Sequence, residues 1–237
     1  MAPIGSPPQL GAMTAAGRGE ISVLAAGGGA VALGSAGVVV TSVFYALSPS
    51  AAALPAQPLD RALALAGSIA GARIMYAAGT VGIFADLVMA AGALLITAEL
   101  VRRTRGLAAI GWAVMLLSII IFIFVDAIVA HVLGPLAATK DGAVAFVGFK
   151  RLFDVLFLLG TVAFGAGAIL ALGSDLRASA PLARRPLSLI GVLAGLATVI
   201  AAVACFFGFP LEQGVGISIG FGAALFVAIG LQIARAT

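Results

Sequence analysis

Long apolar runs, each closed by charged or proline-bearing residues, recur six times along the chain. A helix that crosses a bilayer needs roughly 20 apolar residues. The runs at about 21–47, 74–98, 107–133, 150–172, 187–207 and 215–233 reach that length. They predict an all-α polytopic bundle of about six transmembrane helices. The first run, Ile21 to Leu47, far exceeds the 7 to 15 apolar residues of a signal-peptide core and reads as an uncleaved membrane helix. Residues 1–20, with three prolines and Arg18, read as a disordered cytoplasmic tail before a single domain at 21–237.

The breaks between the runs are equally informative. Pro49, Pro55 and Pro58 interrupt the chain after the first run, and Leu59 to Ala72 has helical composition but is too short and too charged to span. It is expected to lie at the interface as a short helix. The cluster Arg102, Arg103 and Arg105 closes the second run, and Gly134 with Pro135 is expected to close the third. The fourth lies within Ala143 to Leu172, where Lys150, Arg151 and Asp154 leave its start open between about 143 and about 152.

Composition agrees. Hydrophobic residues make up 62% and charged residues 9% of 237, whereas soluble domains average nearer one half and one quarter. Disorder, collagen and a disulfide scaffold are excluded, and Cys205, the one cysteine, is expected to be a small packing residue. The net charge of +4 does not point to nucleic acid, because basic residues sit at segment ends without aromatic interleaving. Six spans put Arg18, Arg102, Arg103, Arg105, Arg177, Arg184, Arg185 and Arg235 on one side, against Glu20, Glu99 and Asp175. The other side holds Arg61, Arg73, Lys140, Lys150 and Arg151 against Asp60, Asp141, Asp154 and Glu212. The positive-inside rule then predicts that both termini are cytoplasmic. Arginine far outnumbers lysine and Ala and Gly abound, a composition that suggests a bacterial inner membrane.

Helices in lipid associate through small residues that let backbones approach. Gly191 with Gly195, Gly216 with Gly220, and Ala163 with Gly167 are candidates, read first as contacts within the chain and second as faces for a homo- or hetero-oligomer. Membrane lipid is the expected partner. Tyr76 and Trp112 are expected at the membrane interface.

Ionisable groups inside hydrocarbon cost from about 2.5 kcal/mol upward, which makes each a candidate for function. Asp86 lies about 12 residues into the second span, roughly 18 Å along it and near mid-depth. Asp126 sits in the outer part of the third span, with His131 about 140° further around an ideal helix. Lys150, Arg151 and Asp154 can neutralise one another at i+3 and i+4. If the three helices are neighbours, Asp86, Asp126 and Lys150 or Arg151 converge in a polar cavity. Alternatively, the Lys150, Arg151, Asp154 group marks the outer interface. His131 is either an interfacial residue or part of that cavity. One histidine excludes a bis-histidine haem and a His-rich metal site in a single chain, and no metal or cofactor is expected.

Two stretches, SIAGARIMYAAGTVGIFADLVMAAGALLITAEL (Ser68 to Leu100) and LRASAPLARRPLSLIGVLAGLATVI (Leu176 to Ile200), carry Asp-Leu-Val-Met and Leu-Ser-Leu-Ile-Gly elements. In these the chain resembles a bacterial six-helix integral membrane family known only as a domain of unknown function. The resemblance implies an external first loop and a recurring aspartate that maps onto Asp86, but no established activity. The family's basic loop usually ends Ser-Arg-Leu-Ile-Pro, whereas this chain has Leu182, Ala183, Arg184, Arg185 and Pro186.

Three functions follow as expectations. One is an integral membrane protein without a catalytic centre, structural, accessory or small-molecule-binding. The second is a proton-linked carrier using Asp86 and Asp126. The third is a membrane-embedded enzyme acting on a lipid or quinone.

Overall fold

The computed structural model describes residues 22–46, 69–137, 142–209 and 211–235. Among them there is no strand. Six long helices follow one another: α1 (Val23–Ala46), α2 (Ile69–Arg102), α3 (Gly106–Ile128), α4 (Ala143–Arg177), α5 (Arg185–Phe206) and α6 (Glu212–Arg235). All six are long and apolar enough to cross a membrane. The chain is thus a multi-pass integral membrane protein with an all-α bundle fold.

Several boundaries depart from the sequence reading. Helix α2 already starts at Ile69, so the last residues of the expected interfacial helix are continuous with the helix that carries the second span. Residues 59–68 of that segment, and the tail 1–20, lie outside the described residues. Helix α4 starts at Ala143, so Lys150, Arg151 and Asp154 lie inside a continuous 35-residue helix. Gly134 and Pro135 do not end α3. A π-helical turn (Val129–Leu133) and a further helical turn (Gly134–Ala137) prolong it. Proline has no N–H to offer the carbonyl four residues earlier and its ring crowds that carbonyl, here that of His131. Widening the preceding turn absorbs the conflict without ending the helix.

Each helix packs on its neighbours in sequence, and α6 closes on α1. The ring is not hollow. Phe226 of α6 meets Phe164 of α4 and Trp112 of α3 edge-on, with centroids 5.0 and 6.2 Å apart. Met89, Met115, Ile119 and Ile229 fill the space around them. Trp112 is only 2% exposed, so the expectation of an interfacial anchor is wrong for it. Its position two turns into α3 faces the bundle axis, and core packing there outweighs the preference of indole for headgroups. Tyr76 is 55% exposed. Outward-facing Leu33, Phe84 and Ile217 supply the apolar exterior that lipid requires.

Glycine seams hold the ring together. A Cβ at Gly28 of α1 would lie 2.6 Å from the Gly230 carbonyl of α6, and one at Gly230 would lie equally close to the Gly28 carbonyl. Gly27 and Gly92 join α1 to α2 in the same manner, and Gly165 and Gly195 join α4 to α5. The pair Gly191 and Gly195 is therefore an internal contact, and Gly167 packs on Gly111. The reading of Gly216 and Gly220 as internal packing is corrected. Gly216 faces open space and Gly220 makes only an ordinary contact with Ser42, because the buried side of this turn is the one that carries Val215.

One end of the bundle is fastened by charge. Asp175, 3% exposed, accepts a hydrogen bond from Arg105 Nη2 at 2.6 Å and from the Leu182 and Ala183 N–H groups at 3.1 Å. The Arg184 N–H donates to Gln232 Oε1 at 2.8 Å. These contacts bring the α2–α3 loop, the α4–α5 loop and the end of α6 to one end, as the alternation of six spans requires. There Glu99 accepts from Arg102 Nε and Nη2 at 2.7 and 2.8 Å and from Arg103 Nε at 2.7 Å, carrying α2 one turn beyond its expected end.

Candidate functional site

Asp86 and Asp126 meet in the seam between α2 and α3, their carboxyl groups within hydrogen-bonding reach of each other. Asp86 follows Arg73 by 13 residues and precedes Arg102 by 16. That places it about 20 Å from one end of the span and about 24 Å from the other. It is 4% exposed. Asp126 continues the buried stripe of α3 that carries Trp112, Met115 and Ile119, and is itself half-buried.

The backbone makes room for this pair. Gly79, Gly82 and Asp86 share one face of α2 at i, i+3 and i+7. A Cβ at Gly79 would lie 2.6 Å from the Asp126 carbonyl oxygen and 2.8 Å from the Ala130 nitrogen. A Cβ at Gly82 would overlap the Asp126 carboxylate itself. The two glycines form a notch in α2 that receives the Asp126 side chain and directs it toward Asp86, one turn along.

The remaining predicted residues separate from this pair. Lys150 is buried and bonds Asp154 one turn ahead on α4, while its ammonium lies 4.9 Å from the centroid of Phe153. That pairing is the expected self-neutralisation. Arg151 is exposed. His131 is exposed too, with Tyr76 of α2 edge-on at 5.6 Å. It borders an outward-facing groove of about 400 Å³ between α3 and α4, walled by Phe124, Ile128, Val132, Leu152 and Leu156. Asp86 and Asp126 do not line that groove. Among the described residues, no group of three or more His, Cys, Asp or Glu side chains could hold a metal ion.

The spacing of Gly79 and Gly82 from Asp86 is visible in the sequence, but among so many small residues it does not mark them as a site. In the sequence Asp175 and Glu99 are loop charges that balance the arginine side. Nothing in the sequence marks their burial, which arises only when the loops fold back over the helix ends.

No family model, no curated protein and no solved structure matches this chain.

Proposed function

We propose that this integral membrane protein is a proton-linked carrier in which Asp86 and Asp126 bind the coupling proton between them. The observation that supports this reading is the contact of two carboxyl groups near mid-depth of the α2–α3 seam. Two ionised carboxylates in contact, away from water, repel each other. One shared proton turns the repulsion into a hydrogen bond. Each acid costs about 2.5 kcal/mol or more in hydrocarbon, and the seam, closed by glycines, does not need them for packing. Loss of the proton would push α2 and α3 apart at the point where Gly79 and Gly82 leave no slack, which links protonation to the packing of the bundle. The arginine-rich end favours cytoplasmic termini in a bacterial inner membrane. Membership of the six-helix family of unknown function, with Asp86 as its recurring aspartate, belongs to the same proposal.

Infrared difference spectroscopy on protein in liposomes, with pH stepped across the titration, tests the shared proton. A protonated-carboxyl band should appear, and it should shift in frequency in Asp126→Asn, where Asp86 has lost its carboxyl partner. Liposomes loaded with a pH-sensitive dye and challenged with a small-molecule cell extract test the carrier. Solute-dependent lumenal pH change in the wild type, absent in Asp86→Asn, is the expected outcome. A wild type without the carboxyl band, or flux unchanged by Asp86→Asn, would overturn the reading.

A second reading rests on the groove beside His131. Its apolar walls and single imidazole suit a lipid or quinone tail with a polar head at His131, as a membrane-embedded enzyme or binder would use. The filled bundle interior supports the structural or accessory reading, which leaves the carboxyl pair unexplained.

A further inference from the structure

A second outward-facing groove, of about 320 Å³, lies at the arginine-rich end. The start of α3, the last turns of α4 and the first turns of α5 bound it. Leu107, Ile169, Gly173 and Val192 make apolar walls, and Ser174 and Arg177 stand at its end. Arg185 precedes Val192 by seven residues on α5, so it shares that face two turns nearer the helix end. Both arginines are exposed.

Three other arginines at this end are committed elsewhere, while Arg184 is exposed and uses only its backbone N–H. Arg105 is held by Asp175 and the Ala180 carbonyl, and Arg102 and Arg103 by Glu99. Among the described residues, neither Arg177 nor Arg185 belongs to an ion pair. Arg177 thus borders an apolar channel that opens sideways where a span ends, and Arg185 begins α5 on the Val192 face at the same end of the bundle. An acyl chain fits the channel, and a phosphate fits the arginines, which take it through paired N–H donors.

We propose that this groove is a binding site for one anionic phospholipid, with an acyl chain against Ile169, Gly173 and Val192 and the phosphate between Arg177 and Arg185. Charge complementarity selects the anionic class, since a zwitterionic headgroup would bring its own cation beside the two arginines. The site is separate from the carboxyl pair and does not depend on the carrier reading.

Native mass spectrometry of the protein released from nanodiscs of equal phosphatidylglycerol and phosphatidylcholine tests the site. The wild type should retain phosphatidylglycerol preferentially. Each of Arg177→Gln and Arg185→Gln should reduce that preference about fivefold, and the double variant about 25-fold. Arg151→Gln, on α4 far from this groove, should leave it unchanged. Gly173→Leu provides a steric test, because a Cβ there meets only Val192 Cγ2 at 4.0 Å and the longer side chain would occupy the channel. It should abolish retention with helicity intact. Equal retention of the two lipids by the wild type, an equal loss in Arg151→Gln, or undiminished retention in the Arg177→Gln, Arg185→Gln double variant would overturn the proposal.

Discussion

Gly82 and Asp126 occupy complementary positions across the α2–α3 seam: a Cβ on Gly82 would overlap the Asp126 carboxylate and stand 2.5 Å from its Cγ. Gly82→Ala therefore forces either the aspartate or the helix to move. Overpacking of this kind costs about 1 to 3 kcal/mol. Gly29→Ala provides the comparison, since nothing lies within 4 Å of a Cβ at that position. Thermal unfolding in detergent should show a clear loss for Gly82→Ala and no loss for Gly29→Ala. Adding Asp126→Ala to Gly82→Ala should cost less than the sum of the two single losses, because it removes the overlapping atoms.

Asp175 and Glu99 both accept arginine hydrogen bonds at the same end, yet their partners differ in exposure. The Arg105 side chain is 21% exposed, and Asp175 also satisfies two loop N–H groups. The Arg102 side chain is 77% exposed. Solvent-exposed pairs contribute about 0 to 1 kcal/mol, whereas removing one member of a buried pair costs about 3 to 5 kcal/mol. Asp175→Ala should thus lower the unfolding temperature sharply and open residues 178–184 to protease, while Arg102→Gln should do neither. Equal effects of the two substitutions would mean that the Asp175 contacts do not hold the loop.

The membrane fold was legible in the sequence because it rests on long-range hydropathy, which survives errors of several residues at each boundary. Asp86 and Asp126 were legible for a related reason, as carboxyls within apolar runs. What fixes their meeting was not. The notch depends on which face Gly79 and Gly82 turn toward α3, and small residues are so frequent here that spacing alone does not distinguish a seam from an open face. Gly216 and Gly220 have the same four-residue spacing as Gly191 and Gly195, yet only the latter pair packs tightly. The π turn before Pro135 was hidden because proline reads as a stop, while the apolar surroundings favour continuing the helix over exposing backbone groups.

Trp112, the chain's single tryptophan, gives a direct optical check on the bundle interior. Enclosed by Phe226 and the core of α3 and α4, its indole should emit at short wavelength and resist quenching by acrylamide and by lipids brominated near the headgroup. Phe226→Ala should increase the quenching by opening the enclosed side. Strong headgroup-level quenching of the wild type would instead return Trp112 to the interface and contradict the packing of α3 against α6.

The pairing of Asp86 with Asp126 makes a prediction about non-additivity that simple burial does not. Asp86→Leu leaves Asp126 without a partner in the seam, and a polar group stranded in that way costs about 1 to 3 kcal/mol. Asp126→Leu strands Asp86 in turn. The double substitution strands neither, and apolar replacement of a buried polar pair is often neutral or stabilising. Unfolding temperatures in detergent should therefore fall for each single variant and recover in the double. Asp86→Asn should lie near the wild type, because an amide can still donate to the Asp126 carboxylate. Additive losses across the cycle would mean that the two carboxyls act independently, and the proton-sharing site would lose its structural basis while the bundle itself stood unchanged.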